Sequence, residues 1–267
     1  MSLEKLVTIS SSDKNNDLSV NNSDFTVTLN ERNLSQGVNR VLIKECTVPN
    51  VFPNVRGTDY GTNRNNRFFI NQGGFDTGFT IPEGQYVIST IGTPPPNDLL
   101  TVLENLINPV ITPETVTITI DPITNKLNFL FSSANFDFSN SEDSLLNNSL
   151  GIKGPLGALA ASLTAQSIPD LSGLKNVYIH SKDIADLNGV DAGFGLISLA
   201  EPISLADTPY GSYSYKKNDD DELASIVFEQ PRNLSTIRIV LRDEKGNKLD
   251  IGTHCLNIVF KAYFDAV

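Results

Sequence analysis

The C-terminal part of the chain alternates apolar with polar residues, and this pattern constrains the fold more than any other. Isoleucine or leucine occupies every second position between residues 236 and 241, and the same period returns between residues 256 and 264. A period of two sends successive side chains to opposite faces of a strand, so each segment has one apolar face. The sequence after these segments contains no helix. The pattern therefore predicts an all-β protein.

Turn signals separate these strands. Pro231 has no main-chain N–H, so we expect the strand at residues 225–229 to end there. Gly246 and Asn247 both tolerate positive φ and predict the reversal that precedes the last strand. The C-terminal part thus reads as strand, corner, strand, loop and strand.

Further strands are predicted at residues 6–10, 24–29, 39–48, 67–70, 115–121, 126–131 and 176–181. The pair at 115–121 and 126–131 forms a predicted hairpin. One short helix is predicted, because Asn97 or Asp98 can cap a segment from Leu99 to Ile107 that has apolar residues at helical spacing. Its apolar stripe is expected to pack across an open edge or end of the β-sandwich.

The domain organisation predicted from the sequence is a single domain over residues 1–267, with long loop excursions. A β-sandwich of 267 residues is an ordinary size for one domain. The chain shows no internal repeat and no linker with a shift in composition. Its least regular stretch lies within residues 132–222, where a separate loop subdomain would fall.

The net charge of the chain argues against nucleic-acid binding. The formal net charge is −11 and the isoelectric point is about 4.6, so free nucleic acid would be repelled. No apolar run reaches the length of a membrane span, and the first residues lack the hydrophobic region of a secretory signal. Cys46 and Cys255 lie inside apolar segments and are predicted to be free thiols in a reducing compartment, although a bridge between neighbouring strands stays an alternative.

The sequence offers few groups of residues that could form a catalytic site. The chain has two histidines, His180 and His254, whereas a metal-dependent β-barrel enzyme normally uses several with a carboxylate. Cys255 follows His254 directly, and neighbours on a strand point to opposite faces, so they do not form a nucleophile–base pair. No phosphate loop, nucleophile elbow or zinc ribbon is present. We therefore expect no enzymatic activity and no cofactor.

A loose basic cluster is the main candidate site. Arg56, Arg64 and Arg67 lie in and just after a loop at residues 49–66 that is rich in Asn and Gly. The ordinary interpretation is a solvated loop. The alternative is an anion-facing contact with a neighbouring subunit or a packaged polyanion.

Two other surface features have competing interpretations. The acidic run at residues 219–222 could bind calcium, but it lacks the alternating ligands and glycine of a calcium loop, so a solvated loop is favoured. Tyr210, Tyr213 and Tyr215 could form a sugar-binding or interface patch on an extended segment, with packing as the simpler alternative.

The order of several short motifs resembles a known family. IPEGQY at Ile81–Tyr86 precedes the helix, and the hairpin follows with Asp121, Thr124 and the pair at 126–127. Then come the Leu-Gly pair at 150–151, VYIHS at 177–181 and FEQPRNLSTIRIVLRDEKGNKLD at 228–250. This series, over about residues 24–264, resembles the single jelly-roll minor capsid proteins that form the pentons of virophages, Polinton-like viruses and related large DNA viruses.

The resemblance implies a single eight-stranded jelly roll that forms homopentamers at capsid vertices, beside double jelly-roll major capsid proteins. It implies a virion location after assembly inside the host cell, and it carries no catalytic residues. The main rival is a jelly-roll module that binds carbohydrate or a host receptor through the tyrosines near Tyr213. A β-sandwich or barrel enzyme is the third hypothesis, which the shortage of histidines opposes.

Overall fold

A computed structural model describes residues 3–29, 37–57, 64–89, 93–185, 202–219 and 225–264. The strands, numbered in chain order, are β1 Leu3–Ser10, β2 Asp24–Thr28, β3 Val38–Pro49, β4 Arg67–Gln72, β5 Phe75–Thr80, β6 Val116–Ile120, β7 Leu127–Phe131, β8 Phe136–Phe138, β9 Ser162–Thr164, β10 Asn176–His180, β11 Ile203–Ser204, β12 Tyr213–Lys217, β13 Ile226–Arg232, β14 Thr236–Arg242 and β15 Asn257–Phe264. The all-β prediction is confirmed.

Three α-helices, α1 Leu99–Ile107, α2 Leu145–Ser149 and α3 Lys182–Ala185, and one 3-10 helix, Ser11–Asp13, accompany the strands in the described residues. The sequence predicted α1 correctly, and Asp98 caps it by accepting a hydrogen bond of 2.9 Å from the Thr101 N–H. The other two α-helices were missed, because one or two turns are too short to show a helical period.

Contacts divide the chain into two compact units. The terminal unit comprises Met1–Phe52 and Leu174–Val267, and the inserted unit comprises Pro53–Gly173. The inserted unit begins well before residues 132–222, the range in which the sequence placed a loop subdomain. Compactness does not establish independent folding, so the single-domain prediction for residues 1–267 stays a prediction.

The terminal unit contains two antiparallel sheets. One has the order β1-β15-β3-β12, with β13 also pairing with β3, and the other has the order β11-β10-β14-β2. Eight strands in these two orders make a jelly roll, and β13 is an additional segment beside β3. The predicted jelly roll therefore occupies this unit, with the inserted unit entering the sequence between β3 and β10.

The last two strands lie inside their sheets. β15 is flanked by β1 and β3, and β14 by β10 and β2. On β15, Ile258, Phe260 and Ala262 are buried, as the alternation predicted. On β14 the buried alternate residues are Ile237, Ile239 and Leu241.

Pro231 does not end its strand as predicted. β13 runs through this residue to Arg232, and its register with β3 shifts between Val227 and Arg232. An irregular pairing of this kind leaves a residue without a ladder partner, so the missing N–H of a proline is tolerated there.

The inserted unit has two three-stranded sheets around an aromatic core. Their orders are β5-β4-β8 and β6-β7-β9. Phe129 links the two sheets, since its ring stacks on Phe68 at 6.0 Å and meets the edge of Phe138 at 5.5 Å between centroids. The buried side of α1 belongs to this core, next to β6. The observed packing surface of α1 therefore differs from the predicted edge or end of the sandwich.

Candidate subunit-contact site

Two of the three candidate arginines share one carboxylate. Arg67 begins β4, Arg64 lies just before it, and their guanidinium groups contact Asp143 at 2.9 Å and 3.2 Å respectively. All three side chains are partly exposed, where an ion pair contributes only about 0–1 kcal/mol. The pairing thus orients the two guanidinium groups and leaves one excess positive charge. Asp143 lies in the loop before α2, and sequence reasoning did not identify it.

Arg56 is tied to the same segment through its main chain. Its N–H donates to Asn65 Oδ1 at 2.6 Å, and the Asn65 N–H donates to the Arg56 carbonyl at 3.0 Å. The buried Asn65 amide also donates to the Asn54 carbonyl at 2.7 Å. The structure therefore places the loop segments that carry Arg56 and Arg64 next to each other, as a subunit-contact site would require.

The cluster also contains acidic groups. Glu83 accepts a hydrogen bond from the Gly57 N–H at 3.2 Å, next to Arg56. Asp143 and Glu83 are thus carboxylates that contact the segments of this cluster, on a chain whose formal net charge is −11. Guanidinium groups on an acidic protein suit a contact with an acidic surface of a neighbour. The role of Arg56, Arg64 and Arg67 in subunit contact stays a prediction.

The tyrosines predicted as a patch lie on and beside the edge strand β12. Tyr213 and Tyr215 project from one face of this strand, and Tyr210 lies in the turn before it. Each of the three residues is at least half exposed, so none of them packs in the buried core, and packing elsewhere stays the simpler alternative. Burial, followed by the charge and hydrogen bonding of Glu45, raises the pKa of the Tyr215 hydroxyl.

The acidic run is only partly described. Asp219 pairs with Lys217 at 3.0 Å, and residues 220–222 lie outside the described residues. Among the described residues no group of three or more His, Cys, Asp and Glu side chains is placed to hold a metal ion. None of the described helices is long and apolar enough to cross a membrane.

The two cysteines and the two histidines lie in different surroundings. Cys46 and Cys255 are free thiols, and burial raises the pKa of Cys46 to about 11. His180 is buried on β10. The Nδ1 atom of His254 lies 3.2 Å from the Ile251 carbonyl oxygen. The burial of Cys46 keeps its thiol protonated and unreactive at neutral pH.

A buried carboxylate with two half-exposed cationic partners stabilises the jelly roll. Asp24, 3% exposed, accepts two hydrogen bonds from Arg238 at 2.8 and 3.0 Å and one from Lys248 at 2.5 Å. Burial alone would raise the pKa of Asp24, but the hydrogen bonds and charges of Arg238 and Lys248 outweigh it and lower that pKa. The partners lie 214 and 224 residues away in the sequence, so no local pattern predicts them.

The inserted unit has a shallow groove of about 430 Å³. Asn54 fixes one wall, because its amide donates to the Tyr86 and Leu171 carbonyls and accepts from the Tyr86 N–H. The other lining residues are mostly apolar and are Gln85, Val87, Ile88, Ile120, Asn125, Ile168 and Pro169. Because the polar atoms of Asn54 are used internally, the groove offers mainly apolar contact.

Comparisons with solved structures find likenesses over almost the whole chain. The mavirus penton protein matches with a TM-score of 0.49 and 10% identity, over 98% of this chain and 99% of that chain. A chain of the Sputnik virophage matches with a TM-score of 0.41 and 10% identity, over 98% of this chain and 97% of that chain. No family profile matches the sequence, and a comparison with curated proteins finds no match.

Proposed function

We propose that this protein is a structural minor capsid protein that forms pentameric vertices of an icosahedral double-stranded DNA virus capsid. The observation that carries the proposal is the jelly-roll strand order of the terminal unit, with β15 between β1 and β3 and β14 between β10 and β2. The ordered motif series of the sequence supports the same family. Fold alone does not fix function, so the proposal needs a test of assembly.

The partners that follow from this proposal are four further copies of the chain and a double jelly-roll major capsid protein. The cluster of Arg56, Arg64 and Arg67 is the proposed contact with an acidic neighbour. Such a protein acts in the virion after assembly inside the host cell, and neither a cofactor nor enzymatic activity is part of the role.

The mass of the purified full chain in solution tests the proposal. We expect a species of five times the 29.1 kDa chain mass. Five chains of charge −11 repel one another, so this species should become more abundant as added salt screens them. A monomer or a trimer at every salt and protein concentration, even in the presence of the major capsid protein, would contradict the proposal.

A second candidate function is supported by the exposed tyrosines. Tyr213 and Tyr215 form an aromatic surface on β12, and aromatic faces suit sugar rings or a host receptor. A glycan array with the full chain tests this function. Binding that is lost in the Tyr213→Ala variant would support it, and unchanged binding would exclude these tyrosines as the binding surface.

A further inference from the structure

Among the described strands, β12 forms one edge of the five-stranded sheet of the jelly roll. The Asn50 N–H donates to the Ser212 carbonyl, and the Asn218 N–H donates to the Lys44 carbonyl, both at 2.8 Å. Alternate residues of an antiparallel strand direct their main-chain groups to opposite sides. Those of Tyr213, Tyr215 and Lys217 therefore point away from β3, and within the described residues they meet no other strand.

The opposite edge of the same sheet, again among the described strands, is β1. β1 pairs with β15 over its full length, and the Ser11 N–H donates to the Leu256 carbonyl at 2.9 Å. By the same alternation, the main-chain groups of Glu4, Leu6 and Thr8 point away from β15. No other described strand pairs with β1.

The residues whose main-chain groups point outward from these two edges have their side chains on one face of the sheet. Thr8 is opposite Val259 on β15, Val259 is opposite Glu45 on β3, and Glu45 is opposite Lys217 on β12. Directly opposite residues in a sheet share a face, so Thr8 and Lys217 project to the same side. Glu4 and Leu6 follow Thr8 by period two, and the two tyrosines of β12 follow Lys217.

Leu6 makes the β1 edge unusual. Its side chain is 62% exposed at the middle of an open strand. Natural proteins normally protect an open edge with charges, proline or a bulge, because an unprotected edge pairs with other chains. On β12 the exposed residues on the same face of the sheet are Tyr213 and Tyr215. Aromatic residues are enriched in protein interfaces.

We propose that β1 of one copy pairs with β12 of the next copy, so that the five-stranded sheets of neighbouring subunits join edge to edge. The strands of the sheet alternate in direction, so a second copy that continues the sheet brings its β1 antiparallel to β12. The preferred register places Glu4 opposite Lys217, Leu6 opposite Tyr215 and Thr8 opposite Tyr213. It therefore combines one opposite-charge pair with two pairs that favour strands.

Charged groups near the join are already partly paired within the chain. Glu4 contacts Lys261 at 2.9 Å, and Lys217 contacts Asp219 at 3.0 Å. In the joined sheet Glu4, which is itself exposed, would face Lys217 while keeping its contact with the largely buried Lys261. Lys217 would share its exposed partner Asp219, which costs little because exposed ion pairs are weak. The contact uses different surfaces on the two copies, so it is heterologous and either closes into a ring or extends as a filament. This inference rests on the proposed function, because it names the surface through which that ring forms.

Disulfide trapping tests the edge pairing. In a Cys255→Ser background, with the buried Cys46 retained, the full chain carries Leu6→Cys together with Tyr215→Cys. Facing residues in this register lie within the Cα separation that a disulfide accepts. The matched control carries Leu6→Cys with Lys216→Cys, since the side chain of Lys216 lies on the opposite face of β12 from that of Tyr215. We expect roughly tenfold more linked chains in the first variant under mild oxidation, because a disulfide also needs Cβ atoms that point toward each other, and only residues on the same face provide them.

The products distinguish this inference from the proposed function. A non-reducing ladder that stops at five chains supports both. A ladder that continues beyond five chains supports the edge pairing and contradicts the pentamer. A pentameric mass with no more linked product than the control overturns the edge pairing and leaves the proposed function intact. A thermal melt of each variant verifies the fold.

Discussion

The side chain of Asn147 pairs with the main chain of Phe69 as if it were one more residue of a strand. Its amide oxygen accepts the Phe69 N–H at 2.9 Å, and its amide nitrogen donates to the Phe69 carbonyl at 2.7 Å. β8 pairs with β4 only from Ile70 to Gln72, so Asn147 extends the ladder where β8 ends. The α2 helix is thereby joined to the central strand of its sheet.

We expect the Asn147→Ala variant to lose about 2–4 kcal/mol in free energy of unfolding, because both Phe69 groups lose their partner inside the protein. Asn147 is 1% exposed, so water does not readily replace the amide. Urea denaturation of the full chain provides the measurement. The control, Asn148→Ala, changes an exposed side chain in the same helix and should shift the free energy by less than about 0.5 kcal/mol. Equal effects of the two substitutions would contradict the role assigned to Asn147.

Removing the charge of Asp24 should make the stability of the protein less dependent on acid pH. The pKa of Asp24 is lowered in the folded state, so its carboxylate stabilises the fold above the pKa of the unfolded chain, about 4. This contribution is lost as the pH falls through the lower, folded-state pKa.

We expect Asp24→Asn to cost about 2–3 kcal/mol at pH 7, because Arg238 and Lys248 are half exposed and retain some hydration. The difference from the natural chain should shrink as the pH is lowered below about 4. Denaturation across pH provides the measurement, with the exposed Asp17→Asn as control. A difference that stays constant from neutral to strongly acidic pH would show that the effect is not electrostatic.

The two cysteines should differ in reactivity. Burial raises the pKa of Cys46 to about 11, whereas Cys255 is only half buried. Because the thiolate is the nucleophile, a thiol reagent at pH 8 should modify Cys255 first and Cys46 only after denaturation. Thiol counting should find two groups per denatured, unreduced chain. A count of zero would indicate a disulfide and would contradict the expected reducing compartment.

Charge reversal tests the proposed role of the arginine cluster. We expect the Arg56→Glu and Arg64→Glu double variant to assemble into particles at least roughly tenfold less well while the monomer stays folded, since like charges then face an acidic neighbour. Arg64 also pairs with Asp143, so Asp143→Asn provides the control. That variant removes the internal pair without reversing the arginine charge, and should assemble normally. Equal loss of assembly in both variants would show that the cluster acts only within the chain.

The long strands of the jelly roll could be predicted because their periods are local. Ile237 and Ile239 on β14, and Ile258 and Phe260 on β15, alternate over enough residues for the buried face to be read directly. The β8 and β9 strands have three residues each, so their periods cannot be recognised. The start of the inserted unit at Pro53 was missed because no shift in composition marks it.

The candidate site was predictable only in part. Arg56, Arg64 and Arg67 stand out in the sequence as basic residues in a loop rich in asparagine. Asp143 follows Arg67 by 76 residues, and nothing in its own surroundings indicates that it pairs with them. Long-range partners of this kind are fixed by the topology of the two sheets rather than by local propensity.

Electron cryomicroscopy of capsids assembled from the full chain and its major capsid protein tests the central claim most directly. We predict that the fivefold vertices contain five copies of this jelly roll, each contacting the next copy through a different surface of its own. The natural chain and an assembly without it would be compared under the same conditions. Vertices occupied in the absence of this chain, or density for the chain only at positions away from the fivefold axes, would contradict the claim.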